Sequence, residues 1–227
     1  MGVVVIIPAF NEERSIGKVL ADIPKDVVGE VVVVDNNSTD ETFNVASRSG
    51  ATVLKQPIQG YGSACLKGIE YFCAQKTAPD IVVFMDADYS DHPDELPKVI
   101  APILEQQMDM VIGSRALGPR ERGSMTPQQV FGNWLACTLM RIMYKARYTD
   151  LGPFRAITWK ALMDIEMKDP NYGWTVEMQL KALKHNLRYS EVPVTYRKRI
   201  GTSKIAGTLK GTVMAGYKII TTIFKYV

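Results

Sequence analysis

Short apolar runs rich in β-branched residues recur along the first half of the chain. They lie at 3–7, 30–35, 52–56, 81–86 and 110–114. Runs that are apolar at consecutive positions are typical of strands in a parallel sheet that is covered on both faces. The pattern therefore predicts five buried, parallel strands.

Between these runs the apolar residues follow helical spacing. The predicted helices span 13–22, 39–49, 61–76 and 94–107, and each begins with polar residues that suit a helix start. Strands that alternate with helices predict a doubly wound α/β sheet with right-handed crossovers. In such open sheets ligands bind beyond the carboxyl ends of the strands, so we expect the functional residues at those ends.

The pattern changes in the second half of the chain. Helices are predicted over 127–146, 155–165 and 175–186, and an extended strand is predicted over 188–197. The chain has neither a linker rich in Gly, Pro or Ser nor an internal repeat. We therefore expect the second half to extend the same domain.

Composition and charge exclude several classes of protein. Apolar residues make up 46% of the chain and charged residues 22%, which is ordinary for a globular domain, and the net charge of +3 is too small to indicate nucleic-acid binding. Cys65, Cys73 and Cys137 lack the spacing of a metal site. Because the amino terminus also lacks the features of a signal peptide, we expect a cytoplasmic protein with reduced thiols.

Polar residues follow the first two predicted strands. Pro8, Asn11 and Glu12 follow the first, and Asp35 lies at the tip of the second. The segment at 38–41, Ser-Thr-Asp-Glu, fits helix capping by Ser38 or Thr39, with the two acids in the first helical turn.

The fourth strand ends in Asp86-Ala-Asp88, which has two possible meanings. Two carboxylates at a strand exit can hold Mg²⁺ or Mn²⁺ and leave room for phosphates and water. The alternative is an acid-rich helix start, which Asp94 and Glu95 fit well because they follow Pro93. The motif alone does not decide between them.

Further charged and aromatic residues follow downstream. Arg115 ends the fifth strand, where a guanidinium can hold a phosphate or form a surface ion pair. Asp150 and Arg155 flank a Gly-Pro turn, and Trp174 and Glu177 lie in a further segment.

A basic segment near the carboxyl terminus contains Arg197, Lys198, Arg199 and Lys204 around Gly201. A loop of this kind can close over a diphosphate, and it can equally be a solvated surface cluster.

Taken together, these segments resemble glycosyltransferase family 2, the inverting enzymes of the GT-A fold. The resemblance rests on VVIIPAFNEE, VVVVDNNSTDET, GYGSACLKGI, VVFMDADYSDHPDE, VIGSR, TDLGPFRA and VPVTYRKRIGTSKI, which occur in the family's order over nearly the whole chain. Within the family, the sequence is most similar to dolichyl-phosphate and polyprenyl-phosphate mannosyl- and glucosyltransferases. The resemblance implies a Rossmann-like, mostly parallel sheet flanked by helices.

The resemblance also implies roles for individual residues. Those expected to bind the nucleotide-sugar donor are Pro8, Ala9, Glu12, Asp35, Asp86, Asp88, Arg199 and Lys204. Asp86 and Asp88 are also the expected ligands of Mg²⁺ or Mn²⁺. The residues that we assign to catalysis are Asp88, Arg115, Asp150 and Glu177, and those assigned to the acceptor are Arg115, Arg155 and Trp174.

Two positions depart from the family pattern. The polyprenyl-phosphate mannosyltransferases usually have Gln two residues after the second Asp, where this chain has Ser90. Their Ser-Gly-Phe-Arg segment is here Gly-Pro-Phe-Arg, ending at Arg155. Because of these differences, the family's pattern does not identify the third metal ligand or the acceptor pocket of this chain.

The expected domain organisation follows. One GT-A domain spans 1–207, with a nucleotide-binding half at about 1–115 and an acceptor half at about 116–207, and an amphipathic helix spans 208–227. Helical spacing gathers the apolar residues of 208–227 on one arc, with lysines beside it, which suits either an anionic membrane surface or packing within the protein or against a second subunit.

We therefore expect metal-dependent, inverting transfer of a hexose from a UDP- or GDP-linked sugar to a polyprenyl or dolichyl phosphate at the cytoplasmic membrane face. The first alternative is the same chemistry on a soluble or saccharide acceptor. Another is an inactive nucleotide-binding or scaffold protein. The sequence does not decide whether the protein forms homo-oligomers.

Overall fold

The computed structural model describes residues 2–201 and 209–226. The elements in chain order are β1 Val3–Ala9, α1 Ile16–Asp22, β2 Glu30–Asp35, α2 Thr42–Arg48, β3 Thr52–Lys55, α3 Tyr61–Cys73, β4 Ile81–Phe84, a 3₁₀ turn Pro93–Glu95, α4 Leu96–Gln106, β5 Met110–Ser114, α5 Pro127–Tyr144, β6 Arg155–Thr158, α6 Trp159–Asp164, α7 Trp174–Lys184, β7 Tyr189–Pro193 and α8 Leu209–Lys225.

One seven-stranded sheet organises these elements, in the order β3-β2-β1-β4-β6-β5-β7. Its adjacent strands pair in parallel except at β6, which runs antiparallel to both β4 and β5. The carboxyl ends of β1, β2, β4 and β5 therefore meet at one edge of the sheet, together with the start of β6. The predicted α/β class, the mostly parallel sheet and the carboxyl-terminal helix are confirmed.

The prediction of a helix throughout 155–165 is wrong in its first third. Arg155 to Thr158 form β6, and only then does α6 begin, with the Thr158 hydroxyl accepting a hydrogen bond from the Ala161 amide at 3.3 Å. The segment is extended because it fills the gap between β4 and β5 and satisfies the backbone groups of both. The apolar spacing over 155–165 fits one helix, so the sequence analysis assigned the short strand to the helix that follows it.

The predicted capping of the second helix is also wrong. Helix α2 begins only at Thr42, so Asp40 and Glu41 precede it. The Ser38 hydroxyl instead accepts the Asn11 amide at 3.0 Å, and the Thr39 amide donates to Asn11 Oδ1 at 2.8 Å. The polar residues that resembled a helix cap therefore connect the loop after β1 to the loop after β2 through hydrogen bonds.

Alternate residues of each central strand enter different halves of the core. Val4, Ile6 and Phe84 pack on the side of α3, α5 and α7, whereas Val5 and Ile7 pack on the side of α1 and α4. The sheet is therefore buried on both faces, as its consecutive apolar residues predicted.

Helix α8 packs on the body of the protein. Its Ile223 carbonyl accepts a hydrogen bond from the Tyr144 hydroxyl of α5 at 2.6 Å, and Lys218 pairs with Asp169 at 2.9 Å. The hydroxyl of Tyr226, which follows α8, donates to Glu177 of α7 at 2.8 Å. Among the helices of the described ranges, none has the length and apolar character needed to cross a membrane.

The start of α3 fits tightly against a distant loop. The Ser63 amide donates to the Pro170 carbonyl at 2.8 Å, and a Cβ atom added to Gly62 would overlap the Asp169 carbonyl oxygen. Glycine at 62 therefore permits a close backbone approach that no larger residue allows.

Replacing Gly62 tests this contact. Gly62→Ala is expected to lower the free energy of unfolding by about 1–3 kcal/mol, the usual cost of overpacking. The melting temperature would then fall by roughly 2–4 °C per kcal/mol in a domain of this size. Gly132→Ala is the matched control, because an added Cβ meets nothing within 4 Å there. Equal melting temperatures for the two variants would contradict the tight contact.

Candidate active site

Two cavities open at the carboxyl edge of the sheet and share a border. The first, of about 510 Å³, is lined mainly by the ends of β1 and β4, the start of α3 and the loop before α7. The second, of about 310 Å³, lies between α5, α8 and the same strand ends. Residues that line both are Tyr61, Asp86, Asp88, Tyr172 and Arg199.

Most of the residues expected to bind the donor line the first cavity. Pro8, Ala9 and Glu12 line it, as do Asp86, Asp88 and Arg199. Asp35 does not, because its carboxylate turns back to accept the Ser38 amide at 3.2 Å, and the neighbouring Asn36 lines the cavity instead. Lys204 lies outside the described residues.

Three carboxylates crowd the segment after β4. Asp88 Oδ1 accepts hydrogen bonds from the Ser90 amide at 2.9 Å and the Ser90 hydroxyl at 2.5 Å. Asp91 is 2% exposed, and its Oδ2 lies 3.5 Å from the Asp86 amide. Among the described residues, the enclosed Oδ1 atoms of Asp86 and Asp91 have no hydrogen-bond partner.

Burial, together with this crowding, raises the pKa values of Asp86 and Asp91. Burial and the nearby charge of Asp88 raise the pKa of Asp86 to about 7, although Arg199 opposes the shift. Burial, with the charges of Asp86 and Asp88, raises the pKa of Asp91 well above its usual range. The cluster therefore favours an added positive charge.

Arg199 supplies positive charge to this cluster in the present structure. Its guanidinium donates to Glu12 Oε1 at 2.7 Å and lies 3.2 Å from Asp88 Oδ2. The neighbouring Arg197 stacks on the Tyr89 ring, with its guanidinium carbon 3.3 Å from the ring centroid. Arg197 also donates to the Tyr89 carbonyl at 2.6 Å, so it ties the basic segment to the loop after β4.

The arrangement of Asp86 and Asp88 fits a divalent cation that a phosphate ligand helps to hold. The enclosed Asp86 Oδ1 lacks a partner among the described residues, and carboxylate oxygens are the ligands that Mg²⁺ and Mn²⁺ prefer. The described ranges contain no cluster of three or more His, Cys, Asp or Glu side chains placed to hold a metal. Magnesium is commonly bound by one or two carboxylates together with substrate phosphates, which matches such an incomplete set.

Arg115 lies in the second cavity and is fixed by Asp150. Its Nε and Nη2 donate to the two Asp150 oxygens at 2.9 and 2.7 Å, and its own amide donates to Asp150 at 2.7 Å. Burial alone would lower the pKa of Arg115, but Asp150 more than offsets it and raises that pKa. Glu191, which the sequence did not single out, accepts the Asp150 amide at 3.2 Å and so supports the pair.

Three of the residues assigned from sequence have structural surroundings that differ from the expected ones. Asp150 is fully buried against Arg115, which lowers its pKa against the effect of burial, so it positions Arg115 rather than facing a reactant. Glu177 is 2% exposed, pairs with Lys181 at 2.9 Å and lies outside both cavities. Its oxygens join α7 to the preceding loop and to Tyr226 after α8, so the structure does not bring Glu177 to either cavity, and its assignment to catalysis stays a prediction.

Arg155, which the sequence assigned to the acceptor, also lines neither cavity. Its side chain is fully buried and donates to the carbonyls of Gly152 at 3.0 Å and Thr175 at 3.0 Å. Burial lowers its pKa. Trp174, by contrast, lines the second cavity although it is only 1% exposed, and its ring packs edge-on against Phe84.

Sequence reasoning missed the aromatic residues at the border between the cavities. Tyr61 and Tyr172 line both cavities, and Tyr196 lines the second, with its ring centroid 5.1 Å from the Arg115 guanidinium carbon. The Gly-Tyr-Gly pattern at 60–62 was a usable signal for Tyr61, because glycines beside a helix start permit close approach. No comparable pattern marks Tyr172.

The carboxylate crowding has a measurable consequence for stability. The pKa of Asp86 is raised in the folded state from about 3.8 to about 7, so folding favours the proton and stability falls as pH rises between those values. Asp86→Asn removes this cost. The metal-free variant is therefore expected to melt above the wild type at pH 8, with the difference shrinking towards pH 4 in thermal scans with EDTA.

Asp94→Asn is the control for this prediction, because Asp94 is exposed in the same loop. Its melting temperature should follow that of the wild type across the range. An Asp86→Asn protein less stable than the wild type at pH 8 would show that the crowding carries no cost.

Comparison with known proteins agrees with the geometry. The model of "Glycosyl transferase family 2" matches residues 4–164. An uncharacterised glycosyltransferase of Mycobacterium tuberculosis is 36% identical over 216 residues, which are 94% of each chain. A dolichyl-phosphate hexose transferase of Haloferax volcanii is 33% identical over 206 residues, covering 88% of this chain and 85% of the relative.

Two further proteins bear on the fold and on the family. An undecaprenyl-phosphate mannosyltransferase of Micrococcus luteus is 30% identical over 224 residues, covering 93% of this chain and 90% of the relative. Glucosyl-3-phosphoglycerate synthase of M. tuberculosis, solved with Mn²⁺, uridine diphosphate and phosphoglyceric acid, superposes with a TM-score of 0.78 at 23% identity, over 99% of this chain and 78% of that one. It shares the GT-A fold. The chain is an enzyme of glycosyltransferase family 2.

Proposed function

We propose that this enzyme transfers a hexose from a nucleotide sugar to a polyprenyl phosphate, with inversion at the sugar carbon. One observation carries the acceptor part of the proposal. The second cavity is charged at one end, where the guanidinium groups of Arg115 and Arg199 lie near Asp86 and Asp88, and apolar along Leu151, Trp174 and Ile219. A phosphate joined to a hydrocarbon chain has this same division into two ends.

The first cavity suits the donor. Its walls include the ends of β1 and β4, where a nucleotide binds in open parallel sheets. Asp86 and Asp88 lie where the two cavities meet, so a sugar diphosphate with its nucleoside in the first cavity would present the sugar to the second. An acceptor in the second cavity would then attack the face opposite the departing diphosphate.

Asp86 and Asp88 would hold Mg²⁺ or Mn²⁺ together with the donor phosphates. The bound cation would supply charge neutralisation for the departing nucleoside diphosphate. Arg199 contributes positive charge at the same place, since it already contacts Asp88 and Glu12. Asp88 itself is oriented by the amide and hydroxyl of Ser90, the residue that replaces the family's usual Gln.

A phosphate acceptor also fits the side chains around Arg115. A phosphate monoester is largely ionised at neutral pH, because its second pKa is about 6, so it needs positioning more than deprotonation. The carboxylates of Asp150 and Glu177 are engaged elsewhere and are not placed to act as a base. The ion pair with Asp150 fixes the orientation of the Arg115 guanidinium, which provides a positive charge in the wall of the second cavity.

The names of the relatives support the same acceptor class, because two of them transfer to undecaprenyl or dolichyl phosphate. The synthase solved with phosphoglyceric acid supports a second class of acceptor, namely a soluble molecule that carries a phosphate. Both acceptors would use Arg115, and only the lipid would use the apolar end of the cavity.

A transfer assay separates these acceptors. Enzyme, Mn²⁺ and radiolabelled sugar nucleotides are incubated with polyprenyl phosphate or with phosphoglyceric acid. We expect label in the organic phase, and label that enters only the soluble acceptor would overturn the lipid assignment.

Asp88→Ala should lower turnover at least about 100-fold, roughly 2.7 kcal/mol of barrier, and full activity in that variant would exclude the proposed metal site.

Arg115→Lys tests how the acceptor is held. Lysine keeps the charge but loses the two-pronged contact with Asp150. We expect the KM for the acceptor to rise about tenfold, which equals roughly 1.4 kcal/mol, while the KM for the nucleotide sugar stays within about twofold. Arg120→Lys, in the exposed loop that follows, is the matched control. An unchanged acceptor KM in Arg115→Lys would exclude this role.

A further inference from the structure

The basic segment at 194–200 lies along the turn that follows β4. The Arg197 amide donates to the Ser90 carbonyl at 3.0 Å, and the Ile200 amide donates to the Asp88 carbonyl at 2.9 Å. These two hydrogen bonds fix the backbone of the segment against the turn that supplies the expected metal ligands.

The three cations at 197–199 face different partners. Arg199 contacts the carboxylates after β4, whereas Lys198 is exposed and pairs with Glu121 at 3.4 Å. Arg197 lines neither cavity. Of these three cations, Arg199 is therefore the one placed to meet the diphosphate of a donor.

Arg197 is held by Tyr89 and Asp22. Its guanidinium stacks on the Tyr89 ring, its Nε donates to the Tyr89 carbonyl at 2.6 Å, and its Nη2 lies 3.7 Å from Asp22 Oδ2. The Tyr89 hydroxyl donates to the same Asp22 oxygen at 2.7 Å. Because Asp22 ends α1, these three side chains, the Arg197 cluster, connect α1, the turn after β4 and the basic segment.

Tyr89 has a backbone conformation that needs support from its surroundings. Its φ angle is 67°, in the left-handed region that bulky residues rarely adopt. This turn of the backbone brings the amide and hydroxyl of Ser90 to Asp88 Oδ1, so it sets the orientation of one expected metal ligand. Residues in such conformations persist where the structure around them holds them, and they concentrate at functional sites. Arg197 holds Tyr89 through both its ring and its carbonyl.

We propose that Arg197 is a positioning residue for binding of the donor diphosphate and its divalent cation. Through Tyr89 it fixes the turn that orients Asp88, and through its own backbone it fixes the segment that carries Arg199. Groups that are already held in their binding arrangement bind more tightly, because less freedom is lost when the ligand arrives. The identity of the ligand rests on the proposed function, whereas the positioning rests on the contacts of the Arg197 cluster.

Arg197→Lys tests the effect on the donor. Lysine keeps the positive charge but loses the planar group that stacks on Tyr89 and donates to its carbonyl. Because the preset arrangement is lost, we expect the Kd of UDP or GDP with Mn²⁺ to rise about tenfold in titration calorimetry. The KM for the nucleotide sugar should rise by a similar factor, while the KM for the acceptor stays within about twofold.

Arg188→Lys is the matched control for this variant. Arg188 also pairs with an aspartate, Asp109 at 3.4 Å, but it precedes β7 and lines neither cavity. Its nucleotide affinity should equal that of the wild type. Wild-type nucleotide affinity in Arg197→Lys as well would overturn the proposal.

Variants of Tyr89 separate the stacking contact from a general loss of stability. Tyr89→Phe keeps the ring and should bind nucleotide within about threefold of the wild type. Tyr89→Gly permits the left-handed backbone but removes the ring, so it should resemble Arg197→Lys. The double variant Tyr89→Gly/Arg197→Lys should lose little more than either single variant, because both changes remove the same interaction. Fully additive losses would contradict a shared role.

Hydrogen exchange of the ligand-free protein tests the positioning without any substrate. The Ile200 amide should exchange at least about tenfold faster in Arg197→Lys than in the wild type, as measured by NMR, because its bond to the Asp88 carbonyl opens more often. The Val5 amide in the centre of β1 is the internal control and should exchange equally in both proteins.

The outcomes distinguish this proposal from the proposed function. Exchange of Ile200 at the wild-type rate in Arg197→Lys would overturn the positioning role. A wild type that binds neither UDP nor GDP with Mn²⁺ would instead overturn the proposed function, and faster exchange in Arg197→Lys would then still support the positioning of Arg199.

Discussion

The crowding of Asp86, Asp88 and Asp91 at the end of β4 governs the surrounding structure. Three carboxylates this close cannot all be ionised without compensating charge, and burial increases the cost. The chain meets this cost in part with Arg199, which reaches across to Glu12, and with the fixed Arg115. The remaining demand for positive charge is what makes the strand end suitable for a cation and a diphosphate rather than for an ordinary surface turn.

Several features of the fold could be predicted from the sequence because they depend on local patterns. Consecutive apolar residues indicated the five parallel strands, and their order placed Asp86, Asp88 and Arg115 at one edge. Strand β6 was missed because its four residues owe their conformation to the strands on either side. The capping expectation at Ser38 failed for a related reason, since its hydroxyl serves a neighbouring loop.

Site residues show the same limit. Short-range motifs identified the aspartates, but the surroundings of Arg155 and Glu177 depend on segments far away in sequence. Arg155 has the chemistry of an anion-binding residue, yet it is enclosed by carbonyl groups and organises the turn before β6. Spacing along the chain carries no information about which side of a buried turn such a guanidinium faces.

The close approach of Gly62 to the Asp169–Pro170 backbone has a consequence for how the two halves of the chain depend on each other. More than a hundred residues separate the partners, and Asn171, Tyr172 and Arg199 from the second half line the first cavity. A fragment limited to the first five strands would therefore leave that cavity open on one side. The shape of the first cavity is in this sense a property of both halves of the chain, because its walls come from segments more than a hundred residues apart.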